Sequence, residues 1–200
     1  MTTVSQSEVD EALREVDSLI DRIGDQTTGT INDQTDRGSP IVGREVQHGG
    51  HGYQIIGSTE IEHVLLQSGF NAVEALAAEE AVAAADGCQV QIDGTMIQSA
   101  RRKLEDRADP DEIGQLREGL VHRLGRSDTV TEIQTNDQLV TAFTVSRKLF
   151  VYDREIPISQ FNSEVQSLIN AEWRGKAYLL GQYELVDGLN DDNDGPRGFQ

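Results

Sequence analysis

Cysteine is almost missing from this chain. Cys88 stands alone among 200 residues, so a disulfide framework within the chain is excluded and an inert buried thiol is expected. Lysine is nearly as scarce: Lys103, Lys148 and Lys176 are the only three, and arginine supplies the rest of the 17 bases. Aromatics make up 5% of the residues, so the core must be assembled from Leu, Ile, Val and Ala. Apolar runs fall well short of the ~18–20 residues that span a bilayer. The polar N-terminus lacks a secretory pattern. Together these absences point away from membranes and towards the cytoplasm, or a virion if the source is viral.

What the chain has in abundance is acid. Thirty-five Asp and Glu face 17 Lys and Arg, a formal net charge of −18. Such a balance disfavours general electrostatic binding of nucleic acid. The acids are spread over the whole chain, and Arg persists where Lys is lost. That combination resembles proteins of extreme halophiles, whose self-repulsion is screened by molar salt. Local basic clusters then carry more information than the global charge.

Residues 1–24 read as an amphipathic helix. Val9, Ala12, Val16, Leu19 and Ile23 recur at helical spacing, Ser5-Gln6-Ser7-Glu8 has the form of a capping box, and Gly24 is a stop. This stripe over 7–23 fits docking on the chain's own core, or pairing with a protein partner or a second copy. Residues 25–54 read as a linker with a short extended segment at Ile41–Val46. The His48-Gly49-Gly50-His51-Gly52 cluster has two histidines but no further ligands at zinc spacing, so a surface loop is expected and no metal.

Beyond residue 54 the pattern becomes helical: Thr59–Gln67, Ala72–Ala84 after an Asn71 cap, and 93–108 with Asp93 or Thr95 as cap. Asp109-Pro110-Asp111-Glu112 opens another helix, with Ile113, Leu116, Leu120 and Leu124 on one face and Gly125 as its stop. The region 109–186 reads as an α+β module: strands at Thr129–Gln134, Gln138–Val145 and Leu149–Tyr152, a helix from Pro157 to Gly175, and a last strand at Ala177–Val186. Residues 187–200 read as an acidic disordered tail.

The stretch 55–104, within a module expected over 55–108, resembles the helix-hairpin-helix domain found at the N-terminus of archaeal recombinases. Leu65-Leu66-Gln67-Ser68-Gly69-Phe70, the helix Asn71–Ala77 and the segment Gly94–Arg101 carry the likeness. The resemblance implies a central all-α helix-hairpin-helix module, which joins the N-terminal helix and a C-terminal α/β module with a small, mainly antiparallel sheet, both read from the residue patterns, in an α+β fold class. It also implies phosphate contacts from hairpin backbone N–H groups at Gly57, Ser58, Gly94 and Thr95. Arg101-Arg102-Lys103, the only run of three bases, adjoins the second hairpin. Between 101 and 126, seven bases meet six acids, a stretch in which the acid excess vanishes.

The element order after residue 110 is also similar to the core of PD-(D/E)xK nucleases. Those enzymes need an acid-x-Lys pair beside a metal, and Glu132, Asp153 and Glu155 have no Lys at that spacing. Walker, dinucleotide and nucleophile-elbow motifs are missing too. The expectation is a non-enzymatic, cofactor-free, DNA-associated accessory or scaffold protein of a halophilic archaeon or its virus. The alternative is a structural or assembly protein, and a divalent-metal nuclease ranks last.

Overall fold

The computed structural model describes residues 4–84, 92–125, 129–136, 139–152 and 155–183, without the side chains of Pro110 and Asn136. The chain is α+β. Helix α1 (Gln6–Ile23) leads into four strands, β1 (Gln26–Gln34), β2 (Pro40–His48), β3 (His51–Ser58) and β4 (Val64–Asn71). Helices α2 (Ala72–Ala84), α3 (Gly94–Glu105) and α4 (Ile113–Leu124) follow, then β5 (Thr129–Asn136), β6 (Leu139–Leu149) and α5 (Ile158–Gln182). The strands form one antiparallel sheet in the order β1-β2-β3-β4-β6-β5. Contacts divide the chain into two compact units, residues 1–68, 126–130 and 145–170 in the first and the remainder in the second.

In the first unit, α1 begins as its sequence dictates. Ser5 accepts from the Glu8 amide, and the Glu8 carboxylate accepts from the Ser5 amide at 2.7 Å, closing a capping box. The Ser5 hydroxyl, which donates to the same carboxylate at 2.7 Å, and then the Ser5 amide hold the Glu8 carboxyl below its ordinary pKa. Gly24 ends the helix at φ 81°, a left-handed conformation that suits glycine. Val9, Ala12, Leu13, Val16, Leu19 and Ile20 are all buried. Each large side chain so buried contributes about 1.5–3 kcal/mol. They pack against β3, where Gly57 lets the helix approach: a β-carbon there would stand 2.9 Å from Val9 Cγ1. The apolar stripe over 7–23 is thus occupied within the chain.

The expected linker contains a strand instead. β1 pairs antiparallel with β2 from Gln26↔Gln47 to Gln34↔Pro40, with a shift between Thr27 and Gly29. No residue of β1 is buried, which explains why it carries no apolar signal. The histidine-glycine loop is the β2–β3 turn. His48 pairs with His51, and Gly49 and Gly50 take φ 53° and 91°, the positive pair that a two-residue type I′ hairpin needs.

Two further elements differ from expectation. Thr59–Gln67 is not helical, because Val64, Leu66, Ser68 and Phe70 are buried in alternation, the period-2 burial of a strand. At the other end, α5 runs through Gly175 to Gln182, so the expected strand from Ala177 is helical over its described part. The strands expected on either side of Ser146-Arg147-Lys148 form one strand, β6.

The second unit packs Leu104 of α3, Leu116, Leu120 and Leu124 of α4, Phe143 of β6 and Leu179 of α5, all buried. Helix α2 lies against α3, and Lys103 Nζ meets Glu80 Oε1 at 2.7 Å. Phe70 and Phe143 tilt against one another with ring centroids 6.1 Å apart. The expected second hairpin between Gly87 and Gln91, Cys88, Asp153 and the tail 187–200 all lie outside the described residues.

Candidate functional site

The residues expected to grip phosphate are not arranged to do so. Gly57 and Ser58 end a β-strand and are buried. The Ser58 hydroxyl accepts from the Glu60 amide at 3.3 Å. Gly94 and Thr95 do open a helix, and both are exposed. However, Asp93 Oδ1 already accepts from Thr95 N at 2.8 Å and from Met96 N at 2.9 Å. The N-cap carboxylate occupies the donors that a phosphate would need, and its charge repels an anion. Of the basic run, Arg101 and Arg102 are exposed, while Lys103 is paired with Glu80.

The chemistry of the first unit gathers at two other places. One is a polar cluster at the end of α1. Asp25, whose side chain is 3% exposed, accepts from His48 Nδ1 at 2.5 Å and from the Tyr53 hydroxyl at 2.9 Å. A carboxylate oxygen only accepts, so Nδ1 carries the proton and Nε2 accepts from the Gln166 amide nitrogen at 2.5 Å. Burial, reinforced by the Asp25 charge, pushes the Tyr53 hydroxyl far above the usual phenol range. Both imidazole nitrogens are engaged, and this network ties the end of α1, the β2–β3 hairpin and α5 together. Arg147, buried on β6, is held likewise by Glu164 of α5 through Nε at 2.5 Å.

The other place is the sheet face turned away from α1. Strand register puts Ile31 opposite Gly43, Gly43 opposite Ile56, and Ile56 opposite Leu65. These residues form a transverse row across four strands. On the α1 side of the same strands, Tyr53, Ile55, Val64 and Leu66 are fully buried, whereas Ile31, Ile41, Ile56 and Leu65 are only half-buried. Glu45 and Gln54 flank the row on one side. Beyond it, His63 stacks at a tilt on Phe150, ring centroids 5.7 Å apart, and Phe150 is 48% exposed. Burial, and then the charge of the neighbouring Lys148, hold the His63 imidazole below its ordinary pKa.

The expected family can now be weighed. No known family of sequences matches this chain, and no curated protein does. A solved structure shares the fold. It is the crystal structure of an uncharacterized protein from Methanothermobacter thermautotrophicus, with a TM-score of 0.59 and 10% identity, covering 86% of this chain and 99% of that one. The likeness is of fold alone. It spans nearly the whole neighbour. The helix-hairpin-helix resemblance is corrected: Leu65–Phe70, which carried it, lies on β4 of this chain's six-stranded sheet.

Sequence reasoning missed Asp25, Tyr53 and Gln166, which are far apart in the chain and joined only by the fold. It also missed the open face. The available signal was the alternation from Ile41 to Ser58, which assigns Ile41 and Ile56 to one side once a hairpin is placed at Gly49-Gly50.

Proposed function

We propose that the protein is a non-enzymatic structural or assembly protein that associates with a second copy of itself through the open sheet face. The observation that carries this reading is the row Ile31–Gly43–Ile56–Leu65, whose Ile31, Ile56 and Leu65 stay only half-buried where Ile55 and Leu66 on the other face of β3 and β4 are fully buried. Apolar patches of this kind mark association surfaces. The charges around the row favour a self-complementary partner. Glu45 is exposed towards the β1 side and Lys148 towards the β6 side. A copy turned over about an axis along the strands sets unlike charges against each other, as an isologous twofold contact requires.

Size-exclusion chromatography with light scattering in molar KCl tests this. The expected result is a dimer or a larger defined oligomer, with Ile56→Asp shifting it to monomer. A wild-type protein that stays monomeric at its highest soluble concentration overturns the reading.

A DNA-associated accessory role keeps one support, the exposed pair Arg101 and Arg102 on α3. Fluorescence anisotropy with duplex and single-stranded DNA on the same preparation decides between the two. Binding that is lost in an Arg101→Glu/Arg102→Glu variant favours DNA, and must be judged against salt because counterion release weakens phosphate contacts. The acid balance supports a salt-rich setting for either role, in a halophilic archaeal cell or the particle of its virus. Among the described residues, no helix is long and apolar enough to cross a membrane.

A further inference from the structure

On the opposite, α1-covered face of the first unit, α1 and the β1–β2 hairpin leave an open cleft of about 300 Å³. Its floor is apolar, formed by Leu13 and Val42; its walls carry Arg14, Arg44, Thr30 and Asn32. Strand register places these walls. Thr30 stands opposite Arg44 and Asn32 opposite Val42, so donors from two strands face donors from the helix. Two guanidinium groups sharing one cleft is notable in a chain with 17 bases and a net charge of −18.

The donors are positioned but not exhausted. Asp17 holds Arg44 in a fork, with Nε to Oδ1 and Nη2 to Oδ2 both at 2.9 Å, and Arg44 Nη1 donates to the Gly43 carbonyl at 3.1 Å. Three of its five N–H groups are so used, which leaves two. Arg14 spends only Nε, donating to the Asp10 carbonyl at 3.2 Å. Its four terminal N–H groups, the Thr30 hydroxyl and the Asn32 amide have no hydrogen-bond partner among the described residues. Asp10 also lines the cleft, and its Oδ1 accepts from Gln6 Nε2 at 2.9 Å.

We propose that this cleft binds a phosphate group carried on a small organic ligand. A planar carboxylate takes its donors from one plane. Here the free donors come from a helix and two strands on different sides, the arrangement a tetrahedral oxyanion accepts, and arginine forks match phosphate oxygens. The apolar floor takes the organic part of a phosphate ester, and the volume lies at the lower end for small-molecule sites. Asp17 is the positioning residue, because its fork fixes the Arg44 plane. The inference is independent of the association reading, since the cleft and the open row lie on opposite faces of β1 and β2.

The test is phosphorus NMR line broadening and calorimetry with inorganic phosphate and with phenyl phosphate, chloride being exchanged at constant ionic strength. Saturable binding is expected, tighter for phenyl phosphate than for inorganic phosphate. Arg14→Gln removes the freest guanidinium from an exposed position and is expected to weaken binding at least tenfold. Thr30→Asp, on the exposed edge strand, introduces a repelling acid and is expected to abolish it. Circular dichroism checks that both variants fold. No saturable binding by the wild type, or unchanged affinity in both folded variants, overturns the proposal. Saturable binding of benzoate as tight as that of phenyl phosphate overturns the choice of phosphate.

Discussion

Tyr183 shows how much a single polar atom decides in a core short of aromatics. Its hydroxyl donates to the Val140 carbonyl at 2.8 Å and accepts from the Val140 amide at 3.1 Å, while Arg107 Nη1 donates to its carbonyl at 3.2 Å. Burial pushes the phenol up to about 12 from its ordinary value of 10.0, and the bond from the Val140 amide works against that shift. The sign follows from linkage. In the unfolded chain the phenol loses its proton near pH 10, while the folded protein keeps it to about 12, so over that window the native state binds more protons and stability falls as pH rises. Below pH 10 the contribution is complete. Urea unfolding between pH 9 and 12 is expected to lose up to about 1.4 kcal/mol per pH unit from this group. Tyr183→Phe is expected to be less stable at pH 8 and to have a flatter alkaline limb; an unchanged slope would remove Tyr183 as the cause. Nothing in the sequence around residue 183 announced this role, because its partner lies 43 positions away. His48 is a similar case. Beside His51 it invited a metal reading, and its actual partners, Asp25 and Gln166, reach it only through the fold.

At the scale of elements, Gly175 separates what was legible from what was not. Helix propensity marks glycine as a stop, and substitution by alanine in a helix interior ordinarily gains about 1 kcal/mol. In α5, however, a β-carbon at this position would stand 2.6 Å from both Leu124 Cδ2 and Phe143 Cζ, two buried side chains. The glycine is a contact point between helices and strand, not an end. Gly175→Ala is expected to destabilise the protein by about 1–3 kcal/mol through overpacking, read as a lower urea midpoint, and a stabilised variant would refute the account. Helix α1 was readable in full, since its cap, stripe and stop are all local in sequence. Helices α2, α3 and α4 were readable for the same reason: Asn71 and Asp93 cap α2 and α3, and Asp109 caps the 3-10 turn Pro110–Glu112 that leads into α4. Strand β4 was not. Leu65, Leu66, Gly69 and Phe70 fit a helical spacing as well as Val64, Leu66, Ser68 and Phe70 fit a strand, and only pairing with β3 decides between them. Strand β1 hid for the opposite reason: an edge strand exposed on both faces has no apolar pattern to show. The same ambiguity governed the candidate sites. The basic run at 101–103 is visible in any sequence scan, whereas the Arg14–Arg44 cleft exists only because β2 lies beside α1.

For the molecule as a whole, charge sets the last expectation. If each of the 17 bases were paired with one acid, 18 of the 35 acids would still be left over. Arg44–Asp17, Arg147–Glu164 and Lys103–Glu80 already commit part of that small supply to ion pairs. The surplus repels itself, and the repulsion reaches about 10 Å at 0.1 M salt but only about 3 Å at 1 M. Stability should therefore rise with KCl. Urea unfolding at neutral pH is expected to gain at least about 1.4 kcal/mol, a tenfold shift in the folded ratio, between 0.1 M and 2 M KCl. Salt also strengthens apolar burial, so a rise alone does not identify screening as the cause. Acid separates the two: near pH 4 roughly half of the exposed carboxylates carry a proton, the surplus shrinks, and the KCl dependence should shrink with it. A dependence of equal size at pH 4 and pH 7 would assign the effect to apolar burial. Full stability in dilute buffer at neutral pH would mean that the folded chain tolerates its charge unaided, and would remove the support for a salt-rich setting.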